Sequence, residues 1–582
     1  MRAASGGYRH IVRAYLAPHR TRLAALAALI LIDLVLQLSL PRVVQTFIDR
    51  AVAGGAVRTL LWLGVAYLGV ALGQNLVQVG WQYVARNIGL IVTNRLRADL
   101  TQHCLTLDMS FHHARTPGEM IERVDGDVGK LENFLSQFAV QVLLNGSLLS
   151  VVMVLLFRVD WRVGLPSAVS VLVAVLGATI MTRRVASYSA RERQASAELY
   201  GLLEERLAGT EDIRANGAVA YVLHRHVQRS RTFFRISVLR ALVGMLNWRT
   251  INMVITIGGI GALTRGALLA LDGQLTLGQV YLIFAYTTML TGPIGVLLRQ
   301  LDDLQQAIAS VARVQQLFAA VPQVVEPNQG MLLPDGPLSV ELDAVSFAYP
   351  DDELVLHEVS TLVPAGRVLG LLGRTGSGKT TLTRLLLRLY DPSAGAVRLG
   401  GVDLRRVPNA DLRARVAVVT QDIQLFSATV RDNLTLFDPA ISDAQLLGAL
   451  ATLGMDGWVR ALPHGLDTLL AAGGSGLSAG QAQLLAFARA FLREPGLIIL
   501  DEASSRLDPA TERQLEHALT RLLDGRTAII VAHRLGTLER VDHLMILEGG
   551  HVRERGPRAD LARDPDSRFS QLLRVGIEDA LA

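Results

Sequence analysis

Val368-Leu369-Gly370-Leu371-Leu372 runs directly into Gly373-Arg374-Thr375-Gly376-Ser377-Gly378-Lys379-Thr380, and Thr381 to Leu389 continues with helical spacing. Five apolar residues ahead of a glycine-rich turn read as a short buried strand. The turn has the spacing G-x-x-x-x-G-K-[ST], which cradles phosphate. Its glycines let backbone N–H groups turn inward onto phosphate oxygens. The start of the following helix adds its positive end. Lys379 supplies a compact charge to the β- and γ-phosphates, and Thr380 a hydroxyl for Mg²⁺. Gly373 through Thr381 are therefore candidate nucleotide-binding residues, on an α/β P-loop domain.

A second strand completes the chemistry. Leu497-Ile498-Ile499-Leu500-Asp501-Glu502 is an apolar run ending in two carboxylates. Asp501 is placed to bind Mg²⁺ through water. Glu502 is placed one residue on, where it polarises an attacking water as a general base. Alone, such a strand end is an ordinary surface; downstream of a phosphate loop it is a catalytic signal.

The rest of the chain is of another kind. Of 582 residues, 50% are hydrophobic and only 19% charged, and mean hydropathy is +0.34. These values exclude a disordered or collagen-like chain and point to a membrane protein. The net charge of +5 gives no support to nucleic-acid binding. Lys130 and Lys379 are the only lysines, so nearly all basic residues are Arg. Cys104 is the only cysteine, which leaves no intrachain disulfide and no Cys-based metal site.

The apolar density lies in residues 1–310. A bilayer span takes about 20 apolar residues, and six stretches qualify: 22–46, 60–85, 138–158, 163–183, 245–270 and 276–300. Residues 86–137 carry six Lys/Arg and 184–243 carry ten Arg. The positive-inside rule places these long gaps, and with six spans both chain ends, in the cytoplasm. Each gap is long enough for two helices projecting from the membrane. The first 20 residues, with Tyr8, Ile11, Val12 and Tyr15 on one side, read as an amphipathic surface helix. Polar groups inside the spans are Asp33, Gln74, Asn75, Gln78, Asn145, Asn252 and Arg265. For the amides, cavity lining and helix–helix hydrogen bonding both remain open. Pro322, Pro327, Pro334 and Pro337 mark a linker. The expected division is 1–20 surface helix, 21–315 all-α six-helix membrane domain, 316–337 linker and 338–582 α/β P-loop ATPase domain.

Leu477-Ser478-Ala479-Gly480-Gln481 precedes a helical stretch, Ala482 to Arg493, leading into the 497–501 strand. It resembles the signature of the ATP-binding cassette (ABC) family, usually written LSGGQ. The family's other motifs follow in order. Tyr349 resembles the aromatic that stacks on adenine. Gln421 resembles the glutamine that senses Mg²⁺. Ser505-Arg506-Leu507-Asp508 resembles the D-loop, and His533 the switch histidine that contacts γ-phosphate. Phe111 through Val128 and Glu204 to Val222 resemble the two cytoplasmic loops of the exporter-type fold. The resemblance thus covers nearly the whole chain and implies a half-transporter.

It implies more about mechanism. Two nucleotide-binding domains would face each other head to tail. Each ATP would lie between the phosphate loop of one and Ser478, Gly480, Gln481 and Asp508 of the other. Glu502 and His533 would be catalytic, and Thr380, Gln421 and Asp501 would hold Mg²⁺. Short coupling helices are expected near 113–121 and 213–221. The sequence departs from the family at Ala479, Ala482, Ala471-Ala472 and Arg506. An altered signature beside an intact catalytic set favours a heterodimer over a homodimer. The expected function is ATP-driven export of an amphipathic solute across the inner (cytoplasmic) membrane, coupled to ATP hydrolysis. Import of a siderophore-like solute and nucleotide-gated channel activity are the alternatives; the latter predicts degraded catalytic residues. The solute, whether small molecule, lipid or peptide, is left open, and nucleic acid is not expected.

Overall fold

The computed structural model describes residues 15–350, 353–474, 476–501, 509–532 and 538–575. The chain forms two compact units. One is Met1–Leu105 with Pro117–Ala320; the other is Thr106–Thr116 with Val321–Ala582.

The first unit is helical. Its elements are α1 (Arg20–Val52), α2 (Val57–Thr106), α4 (Pro117–Val159), α5 (Trp161–Ala208), α6 (Thr210–Ala215), α7 (Val219–Leu271), α8 (Leu277–Met289) and α9 (Thr291–Ala319). The short α3 (Met109–His113) falls in the second unit. Among the described residues, six helical runs are long and apolar enough to cross a membrane, one for each stretch expected from sequence. The long polar gaps are helical too, but as unbroken extensions of the spans rather than separate helices. No proline interrupts residues 57–106 or 219–271, so nothing breaks the backbone ladder. At 50 residues, α2 is about 75 Å long. Short helical segments stand at both turns: α3 and the first turns of α4, Pro117–Ile121, overlap the expected 113–121, and α6 begins a few residues before the expected 213–221.

Leu34, Leu148, Val152, Ile255, Ile283 and Tyr286 lie in one buried cluster of this unit. Leu31, Leu61, Trp62, Leu76 and Ile180 stand exposed on helix faces, an apolar surface of the kind that marks a membrane contact. The intramembrane amides answer their open question locally. Asn75, Asn145 and Asn252 each donate to the carbonyl four residues back on the same helix, at 2.8 Å. Asp33 is buried. Tyr15 donates to the Asp99 carboxylate at 2.6 Å; Tyr8, Ile11 and Val12 lie outside the described residues.

An ion pair between buried Asp127 and partly exposed Arg313 fastens α4 to α9. Asp127 is 1% exposed. It accepts from Arg313 Nε at 2.7 Å and Nη2 at 2.5 Å, and from Ser310 Oγ at 3.0 Å. Lys130 Nζ stands 3.4 Å away. Removing one partner of a buried pair strands the other charge. With Lys130 and Ser310 still serving Asp127, Arg313→Ala is expected to lower stability by about 1–2 kcal/mol, measured as thermal unfolding of the detergent-solubilised chain. Adding Asp127→Asn should restore most of it; a single variant as stable as wild type would contradict this.

The second unit is α/β. Strands β1 (Val340–Ala348), β2 (Leu354–Val363), β4 (Ala394–Leu399) and β5 (Val402–Asp403) form an antiparallel sheet in the order β2-β1-β4-β5. The larger sheet runs β10-β9-β3-β8-β7-β6, built from β3 (Val368–Leu372), β6 (Val416–Val419), β7 (Leu497–Asp501), β8 (Thr527–Val531), β9 (His543–Glu548) and β10 (His551–Pro557). Strands β3, β8, β7 and β6 are mutually parallel. Helices α10 (Lys379–Leu386), α11 (Val430–Thr435), α12 (Ala479–Phe491) and α13 (Pro509–Leu523) complete what the site requires.

The central strands are buried on both faces, which is why they read as unbroken apolar runs. Alternate residues serve two cores. Leu369, Leu371, Ile499, Ile529 and Val531 share one with Phe347 and Leu356 of the antiparallel sheet. Val368, Leu372, Ile498, Leu500 and Ile530 share the other with Leu484, Phe487 and Leu515 on the helices. Each fully buried Leu or Ile contributes about 1.5–3 kcal/mol. The two cores fix the sheet, and the sheet fixes where its strand ends point.

Candidate nucleotide-binding site

In a parallel sheet the crevice beyond the carboxyl ends of the strands is the natural ligand site. Register brings the expected residues to that edge. Leu371 of β3 lies opposite Val531 of β8, which lies opposite Asp501 of β7. Val419 of β6 lies opposite Leu500. The phosphate loop leaves β3 at Gly373, Gln421 follows β6 by two residues, and Asp501 is the last residue of β7. Glu502, Asp508 and His533 lie outside the described residues; the strands leading to Glu502 and His533 are neighbours.

The loop itself is a strained backbone made possible by glycine. Gly376 and Gly378 have φ of 81° and 102°, in the left-handed region. A Cβ on Gly378 would meet Leu356 Cδ2 at 2.6 Å. Gly378 caps α10, so the first N–H groups of that helix have no earlier carbonyls to bind. Lys379 is 6% exposed, and its Nζ donates to Gly373 O at 2.5 Å and Arg374 O at 2.9 Å. Ser377 Oγ is buried with no hydrogen-bond partner. A buried hydroxyl without a partner is costly, and an anion's oxygen would satisfy it. Arg374, Thr375, Gly376 and Thr380 are exposed along the same loop. Donors without acceptors, a cation and a helix N-terminus in one concavity suit a polyphosphate.

Tyr349 is brought to the same place. Its hydroxyl lies 3.1 Å from Thr381 Oγ1 and accepts from Arg384 Nη1 at 3.0 Å, both on α10. Its ring packs edge-on against Phe347 and Tyr390, with centroids 4.9 and 5.3 Å apart. Burial pushes the Tyr390 phenol up, with the neighbouring Tyr349 adding to the shift.

The signature forms a separate anion-suited end. Helix α12 starts at Ala479, three residues earlier than the expected Ala482, because Ser478 caps it. Ser478 Oγ accepts from Gln481 N at 3.1 Å, and Gln481 Oε1 accepts from Ser478 N at 3.0 Å. This capping box was written in the sequence as Ser-x-x-Gln. Ser478 and Ala479 are exposed and Gly480 buried. Among the described residues, no hydrogen bond joins Ser478 or Gln481 to the phosphate loop. The chain thus offers two half-sites.

Sequence reasoning missed the hub behind the signature. Arg489 on α12 donates to Asn433 O at 2.6 Å, to Asn433 Oδ1 at 3.1 Å and to Gln424 O at 2.9 Å. Fully buried Asn433 also donates to Phe426 O at 3.0 Å and Thr429 O at 3.1 Å. The segment after Gln421 is therefore tied to the signature helix. An Arg and an Asn far apart in an Arg-rich chain give no sequence signal of this.

These features define a class: a P-loop nucleotide-binding domain on the same chain as a six-span helical membrane domain. The chain matches the family described as ABC transporter transmembrane region over residues 23–294, and the family described as ABC transporter over residues 356–505. It is 31% identical over 531 residues to the ATP-dependent lipid A-core flippase of Cupriavidus metallidurans, covering 90% of this chain and 88% of that one. It is 29% identical to the ABC transporter ATP-binding protein YfiC of Bacillus subtilis, covering 94% and 91%. A solved structure of a bacterial Atm1-family ABC exporter with ATP bound matches with TM-score 0.80 and 25% identity, over 96% of this chain and 98% of that chain. The chain belongs to the ABC transporters. It is an exporter-type half-transporter: a multi-pass membrane protein that binds ATP, dimerises and couples ATP hydrolysis to export.

Proposed function

We propose that this chain pairs with a second half-transporter in the cytoplasmic membrane and exports an amphipathic, lipid-like solute. In this reading the nucleotide-binding domain and both chain ends lie in the cytoplasm, by the positive-inside bias of the long gaps. The observation that carries the reading is the shared sheet edge, where the phosphate loop, Gln421 and Asp501 emerge beside one another.

In the proposed cycle, Gly373 to Thr381 and Lys379 hold the phosphates, and Tyr349 receives the base. Ser478, Gly480 and Gln481 of the partner close over the γ-phosphate, with Asp508 beside them. Glu502 takes the proton from the attacking water, and His533 holds the γ-phosphate. Bound ATP bridges two subunits and so favours the closed pair, as any ligand with differential affinity does. Hydrolysis removes the bridge. Thr380, Gln421 and Asp501 would hold Mg²⁺, which neutralises charge on the phosphates. One hydroxyl, one amide and one carboxylate suit an ion whose other ligands are water and phosphate. Ala479 adds a methyl at the exposed start of the signature helix, which supports a heterodimer in which one ATP site hydrolyses. The lipid-like solute is carried over from the relative named a lipid A-core flippase.

The test is reconstitution of the purified chain in lipid vesicles with a fluorescent lipid. ATP-dependent movement of the lipid across the bilayer supports the reading. ATP turnover without lipid movement removes the lipid-like solute. ATP binding without turnover supports an obligate partner, to be sought by co-purification from the native source.

A further inference from the structure

The chain between α2 and α4 and the linker after α9 meet on one side chain within the second unit. Asp108 caps α3 by accepting from Phe111 N at 3.3 Å, and its Oδ1 also accepts from Ser110 Oγ at 2.5 Å. Its other oxygen, Oδ2, accepts from Gln323 N and from Val324 N, the latter at 3.3 Å. One carboxylate therefore holds the start of the first cytoplasmic turn and the backbone of the linker together.

The linker is fastened in turn. Buried Arg388 donates from Nη2 to Val325 O at 2.9 Å and from Nη1 to Val407 O at 2.9 Å. Glu326 accepts from Asn409 N at 2.8 Å and from its Nδ2 at 2.6 Å. On the turn, Met109 packs against the core that holds Tyr349 and Tyr390. Asp108, Ser110, Gln323, Val324, Tyr349 and Tyr390 line one cavity of about 280 Å³.

The geometry points to Asp108 as a positioning residue that locks the first cytoplasmic turn and the linker to the nucleotide-binding domain, and so sets how much solute moves per ATP. It touches neither phosphate nor solute. Two segments leading to different membrane helices, α2 and α9, are held by one group and must follow the same domain. Without the carboxylate, four backbone and side-chain donors lose their acceptor, and the linker is free to slide relative to α3. ATP binding and hydrolysis, which use the sheet edge, continue. Burial alone would push the Asp108 carboxyl up; hydrogen bonds from Ser110, Gln323, Phe111 and Val324 outweigh it and hold it below the usual range. The lock is therefore present at neutral pH and is lost only as pH falls through that lowered value.

The inference rests on the proposed coupling of ATP use to export, and its test separates the two. Asp108→Ala and Asp108→Asn are made in the full chain and reconstituted in phospholipid vesicles with the fluorescent lipid. Hydrogen exchange of residues 321–330 needs no transported solute. In Asp108→Ala the Gln323 and Val324 amides should exchange roughly tenfold faster. ATP turnover and the KM for ATP should stay within about twofold, while lipid moved per ATP falls about tenfold. Asp108→Asn keeps an acceptor and should recover most of the coupling. Unchanged exchange in Asp108→Ala overturns the lock. Turnover and transport falling in step with folded protein overturn the positioning role, leaving only a structural one. If wild type moves no lipid while exchange accelerates in Asp108→Ala, the lock stands and the lipid-like solute is what fails.

Discussion

Glu502→Gln is expected to lower steady ATP turnover by a factor of roughly 10²–10⁴ and to leave ATP binding intact. Gln matches Glu in size and still orients a water molecule, but it cannot take the water's proton. The frame for this role is β7, whose last residue, Asp501, lies opposite Val531 on β8. Asp501 ends β7 at the edge where Gly373 leaves β3, and Glu502 is the next residue in the sequence. Asp501 is the residue proposed for the metal, so the two carboxylates divide the work by position. Phosphate release and binding of a fluorescent ATP analogue, measured side by side, check both halves of the expectation. Turnover within a few-fold of wild type would remove Glu502 as the base and shift attention to another group at the same edge. A protein in which neither wild type nor variant turns over, though both bind ATP, would instead call for the partner subunit.

The strongest parts of the fold were legible because their chemistry is local. A phosphate loop needs its residues within one turn, so 368–380 declared itself, and residues 497–502 did so by four apolar residues followed by two carboxylates. Helix ends were harder. Helix α10 was read as running to Leu389 but ends at Leu386, where Arg388 takes a positive φ of 47° and turns its buried guanidinium to Val407 O and Val325 O. Those partners lie far along the chain, and nothing at 388 names them. The linker shows the same limit. Its prolines spoke correctly of an irregular backbone, but Leu333 and Leu338 are buried in the second unit's core, and Leu333 N donates to Asp411 at 2.7 Å. Composition reports that a segment lacks regular structure, not whether it is docked. Asp108 was invisible for the same reason: its linker partners stand more than 200 residues away.

Lys379→Ala is expected to weaken ATP binding by roughly 10- to 150-fold, the range for losing one hydrogen bond to a charged group. Lys379 is 6% exposed, and its ammonium donates to Gly373 O and Arg374 O of the loop. Those two carbonyls hold the ammonium against the loop that ends at the start of α10. Lys379→Arg should fare little better, because a planar fork does not fit a site shaped around a compact cation. Thermal unfolding without nucleotide separates binding from folding: the variants should melt within a few degrees of wild type, while the stabilisation that ATP gives wild type should largely vanish. An Ala variant that ATP still stabilises fully would mean that the phosphates are held by backbone N–H groups alone. The chain's other lysine, Lys130, serves a carboxylate cluster at Glu122 and Asp127. In a protein that uses Arg almost everywhere else, Lys379 stands where an ammonium fits and a guanidinium does not.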